Sequence, residues 1–174
     1  LTAADVFTVL TAQGHIGPVD AVSRRGLLPM DQNPMPDPEG MWQRFSYSPS
    51  RFVKKHGLIN KVSEIFRCLR QDIADRESEG KTWHGAFDEL RDSARTLWPH
   101  LPTVKQKRFH RHLKSWYETR RFRIAPQIQA VMESQQKDGR LTVSAERIRA
   151  AIPVARSRIE VIFCPRGRGD ISAK

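Results

Sequence analysis

The stretch LTAADVFTVLTAQGHIGPVDAVSRR, residues 1–25, decides how the chain is read. Ala3, Val6, Phe7 and Leu10 share one face at helical spacing, and Gly14 stands where a glycine closes a helix. No Ser, Asp or Pro precedes Leu1 as a cap, so this helix reads as cut and the chain as an internal piece of a longer protein. His15-Ile16-Gly17-Pro18 supplies a tight turn, and Val19 to Ser23 a short buried strand. Helix, turn and strand together make half of an α/β unit.

Working outward, Arg24 to Pro49 carries prolines at 29, 34, 36, 38 and 49 without periodicity and reads as a long loop. The pattern becomes helical from Leu58. Leu58, Ile59, Val62, Ile65, Phe66, Leu69 and Ile73 form an apolar stripe that stops near Gly80. Thr82 is placed to cap a second helix, with Trp83, Ala86, Phe87, Leu90, Ala94 and Leu97 inward, ending before Pro99. Thr103 and Gln106 have the spacing of a capping box for a third, with Phe109, Leu113, Trp116 and Tyr117 inward. Pro126 suits the first turn of a fourth, with Ile128, Val131 and Met132 inward and Gly139 as its stop. After Gly139 the period shortens. Leu141 to Ser144 and Ile159 to Phe163 read as strands, Ile148 to Ile152 as a possible third, and Pro165 to Gly169 as a turn or loose end.

Composition bounds the partners. Of 174 residues, 39% are hydrophobic and 28% charged, which supports a packed core. Thirty Lys and Arg against 19 Asp and Glu give a net charge of +11, favouring anionic partners. Cys68 and Cys164 lie far apart, with no ligand at metal spacing and no disulfide framework, which suits a reducing cytoplasm. No apolar run approaches the roughly 20 residues of a membrane span, and no signal-peptide pattern is present, so no membrane partner is expected.

A dinucleotide fold places G-x-G-x-x-G/A between its first strand and first helix, so that the backbone can approach a pyrophosphate at the helix N-terminus. With a G-x-G just upstream, Ala3 would be the third small residue, packing closely on the sheet. About 20 residues on, such folds read the ribose, and here Ser23, Arg24 and Arg25 offer a hydroxyl and two guanidinium groups that suit a 2′-phosphate. The plainer reading is a basic loop after a strand, and both stay open.

The runs Leu1-Thr2-Ala3-Ala4-Asp5, Gly14-His15-Ile16-Gly17-Pro18 and Ser23-Arg24-Arg25-Gly26-Leu27-Leu28-Pro29 resemble the second dinucleotide-binding motif of an uncharacterised family of FAD/NAD(P)-binding proteins. That family is related to flavin monooxygenases and other two-dinucleotide flavoproteins. The resemblance continues through Leu97-Trp98, Arg108-Phe109, Arg111-His112-Leu113, Trp116, Arg120, Ile124-Ala125-Pro126 and Gly139-Arg140-Leu141. It implies an FAD domain interrupted by an NAD(P) domain that carries a helical insertion. Thr2 and Ala3 would then line the start of the pyrophosphate helix, and Ser23, Arg24 and Arg25 would face the adenosine ribose and its phosphate.

FAD and NADP(H) are the cofactors implied for the intact protein, whereas this chain, without the motif's glycines, is expected to bind none alone. The expected fold class is α+β and predominantly helical: a truncated Rossmann-type α/β fragment over 1–29, a proline-rich loop over 30–56, a helical insertion subdomain over 57–139, and short strands with a flexible tail over 140–174. Expected partners are the remainder of its own polypeptide, the nicotinamide dinucleotide and, through exposed sheet edges, a second copy.

The other candidates come from charge and chemistry. Lys105 to Arg123 holds eight Lys and Arg against Glu118, with Trp116, Tyr117 and Phe122 interleaved. Three readings are open: a nucleic-acid face, a solvated helix face whose aromatics belong to the core, or Arg120 and Arg123 reaching towards a cofactor phosphate or acidic substrate. His84, His110 and His112 read as structural or solvent-facing, because two residues of separation put His110 and His112 on different sides of a helix. Cys68 falls on an apolar stripe and reads as core. Cys164, near Arg166 and Arg168, has no partner that would assemble a nucleophile.

Overall fold

The computed structural model describes residues 2–32, 51–156, 158–165 and 172–173 of the chain. In order, its elements are α1 (Thr2–Ala12), β1 (Val19–Ser23), α2 (Arg51–His56), α3 (Val62–Ser78), α4 (His84–His100), α5 (Thr103–His112), α6 (Lys114–Arg121), α7 (Pro126–Lys137), β2 (Leu141–Ala155), β3 (Arg158–Pro165) and β4 (Ser172–Ala173). This is the expected α+β class with helix predominating.

They divide into two units, Leu1–Met30 with Ile124–Lys174, and Asp31–Arg123. In the first, α1 turns Ala4 and Phe7 into the core, where they meet Ile124, Met132 and Leu141 together with Val19, Ala21 and Val143. The helix closes through Gly14 at φ +81°, with the His15 N–H donating to the Leu10 carbonyl and the Gly14 N–H to that of Thr11, each at 3.0 Å. A residue with a Cβ would be strained there, which is why a glycine ends the helix so sharply. The same pair of bonds closes α7 through Arg140 to Gln135 and Gly139 to Gln136, delivering the chain into β2.

β1 and β2 then run parallel, Val19 opposite Leu141 through Ser23 opposite Ala145. Beyond that point β2 pairs antiparallel with β3, and β3 with β4, giving a mixed sheet in the order β1-β2-β3-β4.

The second unit is helical. Phe52, Ile65, Leu69, Ala86, Phe87, Leu90 and Leu97 form its buried centre, with Cys68 among them as the apolar stripe implied. Half-buried Arg76 and Glu89 tie α3 to α4. Lys55 and His56 of α2 both reach Asp72 of α3, at 2.7 Å and 2.9 Å, so a carboxylate only 6% exposed is satisfied from two sides. Lys55 is held above its ordinary value by its hydrogen bonds to Asp72 and then Asp75.

Several expectations are corrected. The fourth helix, α7, belongs to the first unit and not to a helical subdomain ending at 139, because Ile128, Val131 and Met132 pack with Ala4, Phe7 and Leu141. The proline-rich loop expected over 30–56 ends earlier, since Arg51–His56 is helical with Phe52 fully buried. Residues 33–50 and the tail over 166–171 lie outside the described residues.

The third helix is two, broken at Leu113, and no side chain caps α5. Gln106 instead donates to the Trp98 and Leu101 carbonyls at the end of α4, both at 3.0 Å, the first of which also accepts from the Leu101 N–H. Thr82 does not cap α4 either; its hydroxyl meets Nδ1 of His84 at 3.0 Å. The helix also runs past its expected end before Pro99, which sits inside the last turn of α4 and cannot donate to the Arg95 carbonyl one turn earlier. The two strands expected within 141–152 are one, bent at irregularities beside Ile148 and Pro153.

Tyr117 packs against Phe87 and Phe109, with ring centroids 5.3 Å and 5.6 Å away. Burial pushes its phenol above the ordinary value, and Arg121 and Arg91 pull more weakly the other way. A raised folded-state value means that the neutral phenol's contribution to stability is complete below the unfolded value and is lost as pH climbs through the folded one. The chain has two tyrosines, so in a Tyr47→Phe background the phenolate absorbance reports Tyr117 alone. It should rise only above the free-phenol midpoint near pH ~10, and a midpoint at that value would contradict the packing described.

Candidate functional site

α1 and β1 are joined by a short link, and Ala4 and Phe7 of the helix share one core with Val19 and Ala21 of the strand. The first turn of α1 carries the candidates Thr2 and Ala3. Thr2 and Ala3 are exposed in that turn. The small residue that packs closely is Ala4, 2% exposed, so the role expected of Ala3 against the sheet falls one position later. Asp5, also exposed there, places negative charge where the helix dipole favours it.

At the end of β1 the chain makes a tight turn. The Gly26 N–H donates to Oγ of Ser23 at 2.9 Å, a side chain binding its own backbone three residues on. Gly26 has φ +60°, and a Cβ there would lie 3.2 Å from the backbone nitrogen of Ala145 and 3.3 Å from its Cβ. Both backbone conformation and space thus demand glycine. Ser23 and Arg24 are exposed at this turn, and Arg25 is half-buried. Ser23, Arg24 and Arg25 follow one another at the carboxyl end of a strand in a parallel pair. A hydroxyl and two guanidinium groups can hold an anion with a nearby ribose. The role of Gly26 was not read from the sequence, although Ser-x-x-Gly after a strand is a turn signature.

Of the remaining candidates, Arg123, His84 and His110 have structural partners. Arg123, 9% exposed in its side chain, does not reach outward; its guanidinium forks onto Asp88 at 3.0 Å and 3.2 Å and lies 5.0 Å from the Trp83 ring centroid. His84 is buried between Thr82 and the Asp31 carbonyl, with Nε2 3.1 Å from that oxygen, and stacks on Trp83. His110 packs edge-on against Trp98. Tyr117 belongs to the core, but Trp116 and Phe122 are 46% and 43% exposed, so they are not the core aromatics that the solvated-face reading assigns them to be. Among the described residues no group of three His, Cys, Asp or Glu could hold a metal ion, and no helix is long and apolar enough to cross a membrane.

No protein family, curated protein or solved structure matches this chain.

Two substitutions check the geometry. Gly26→Ala forces a side chain into the left-handed region against β2 and should cost about 1–2 kcal/mol in urea unfolding; an unchanged midpoint would show that the turn does not press on Ala145. Arg123→Met removes the forked partner of Asp88, leaving Arg91 3.8 Å away, and should destabilise by about 1–3 kcal/mol, below the full cost of breaking a wholly buried pair because Asp88 is 20% exposed in its side chain. A loss under about 0.5 kcal/mol, the range of ordinary surface substitutions, would reduce the fork to a surface ion pair.

Proposed function

We propose that the chain is the nicotinamide-dinucleotide-binding portion of an FAD- and NAD(P)-dependent oxidoreductase-like protein, with a preference for NADP(H). The observation that carries this reading is the Ser23–Gly26 turn at the carboxyl end of β1, a strand in a parallel pair. Open α/β sheets take their ligands outside the carboxyl ends of parallel strands, with pyrophosphate on a helix N-terminus. Thr2 and Ala3 would face the pyrophosphate. Ser23 would address the ribose, and Arg24 and Arg25 would fork onto the 2′-phosphate, which an acidic residue at that place would repel.

FAD is proposed for the intact polypeptide, and no residue of this chain is assigned to it. The flavin would supply the redox chemistry by accepting hydride from the reduced nicotinamide, and the residues named here would place the nicotinamide cofactor and balance its charge. None of them is proposed as a catalyst. A cytoplasmic setting agrees with two free cysteines. The proposed macromolecular partner is the remainder of the same polypeptide. The β2–β3 ribbon supports it, since Ile148 and Ile159 are 62% and 63% exposed, and the isolated chain would self-associate through the same face.

Expression of the full reading frame that contains this chain tests the class and the cofactor together. A yellow protein with a flavin spectrum bleached by NADPH is expected. In that protein Arg24→Ala with Arg25→Ala should raise KM for NADPH at least tenfold, about 1.4 kcal/mol, and leave NADH little changed. An equal effect on both nicotinamides, or a colourless protein, would refute the reading.

A further inference from the structure

A second charged surface lies wholly within Asp31–Arg123 and takes no part in the proposed dinucleotide site. α5 and α6 are separated only by Leu113, whose φ −113° and ψ −21° remain in the right-handed helical region. The Leu113 N–H donates to the Phe109 carbonyl at 2.8 Å and the Tyr117 N–H to that of Leu113 at 2.9 Å, so the four-residue spacing carries through the break. Phe109, Leu113 and Tyr117 form the row turned towards the protein, Phe109 meeting both Trp98 and Tyr117 edge-on. The neighbouring row is Val104, Arg108, His112, Trp116 and Arg120.

Arg108 and His112 of that row, with Val104, Lys107 and Arg111, line an open concavity of about 630 Å³. Trp116 follows one turn beyond His112 and is 46% exposed. Phe122, at the end of α6, is 43% exposed, with the Arg121 guanidinium 4.8 Å from its ring centroid. Residues 103–122 hold seven Lys and Arg and a single carboxylate, Glu118, which lies 3.6 Å from Lys114.

Charge alone would suit any polyanion, but half-exposed tryptophan and phenylalanine rings beside it gain nothing from bare phosphate. They gain from bases, which stack on aromatic faces while phosphates follow the cations. Only unpaired bases offer those faces, which excludes a regular duplex as the preferred ligand. We propose that the α5–α6 face binds single-stranded nucleic acid, with Lys107 and Arg108 on the phosphates and Trp116 as a base-stacking platform.

Fluorescence anisotropy of the chain with a labelled oligothymidylate of about 12 nucleotides, within the span of known single-strand grooves, tests this. Binding should be micromolar at low salt, and its log–log salt slope should be near −3, as about four or five neutralised phosphates require. Trp116→Ala should weaken it about tenfold, and Trp116→Phe should restore most of the loss. Lys107→Glu with Arg108→Glu, both at exposed positions, should weaken it further and flatten the slope. Inorganic polyphosphate, which has charge without bases, should bind Trp116→Ala and the parent chain alike. Absence of oligothymidylate binding at low salt, equal affinity in Trp116→Ala, or a duplex bound as tightly as the single strand would each overturn the proposal. Should Trp116→Ala fail to fold by circular dichroism, the charge-reversal pair and Trp116→Phe decide the matter, since an unchanged affinity in the pair also overturns it.

Discussion

The parallel pairing of Val19–Ser23 with Leu141–Ala145 is the constraint on which the rest depends. Parallel strands cannot be joined by a tight turn; the chain must leave the sheet and return in the same direction. Here the return contains a whole helical unit as well as α7. Closing so long a connection costs only slowly more than closing a short one, about 0.6 kcal/mol for each doubling. The two connections also meet inside the first unit, where the Ile124 N–H donates to the Met30 carbonyl at 3.0 Å. That bond holds the two ends of the Asp31–Arg123 insertion close together in the folded chain.

That pairing also makes the turn after β1. Ser23 is the last residue in register, and Gly26 presses on Ala145, the residue opposite it. Without β2 in place the Ser-Arg-Arg run would be an exposed basic tripeptide. With it, the run is a turn fixed against β2. The helical unit has its own internal logic: Arg123 is held by Asp88 and Trp83, and Asp72 gathers Lys55 and His56. These interactions absorb the buried charges of the unit, whereas Lys107 and Arg108 remain exposed on α5.

Much of the local structure was legible. Gly14, Gly80 and Gly139 each close a helix, Pro126 opens one, and Val19 to Ser23 is a strand, because backbone restrictions act within a few residues of their cause. The cap assignments failed for the opposite reason. Thr82 and Gln106 carry the right groups at the right spacing, but a buried histidine and two carbonyls at the end of α4 compete for them. The long bent β2 was read as separate strands because its exposed half alternates poorly, and the role of Gly26 was missed because nothing in its neighbours mentions Ala145. Trp116 and Tyr117 look equivalent along the chain, yet only Tyr117 lies on the row with Phe109 and Leu113 that faces the core.

By itself the sequence determined the glycine stops at Gly14, Gly80 and Gly139, the start at Pro126, the strand after α1 and the basic balance, since these follow from short-range geometry and composition. Tertiary structure alone decided that α7 belongs with α1 and β1, that Arg123 is spent on Asp88, and that Ser23, Arg24 and Arg25 stand at the end of a parallel strand. The physical reason is distance along the chain. Which apolar face finds which, and which carboxylate finds which arginine, is settled by packing between segments whose own sequences carry no record of each other.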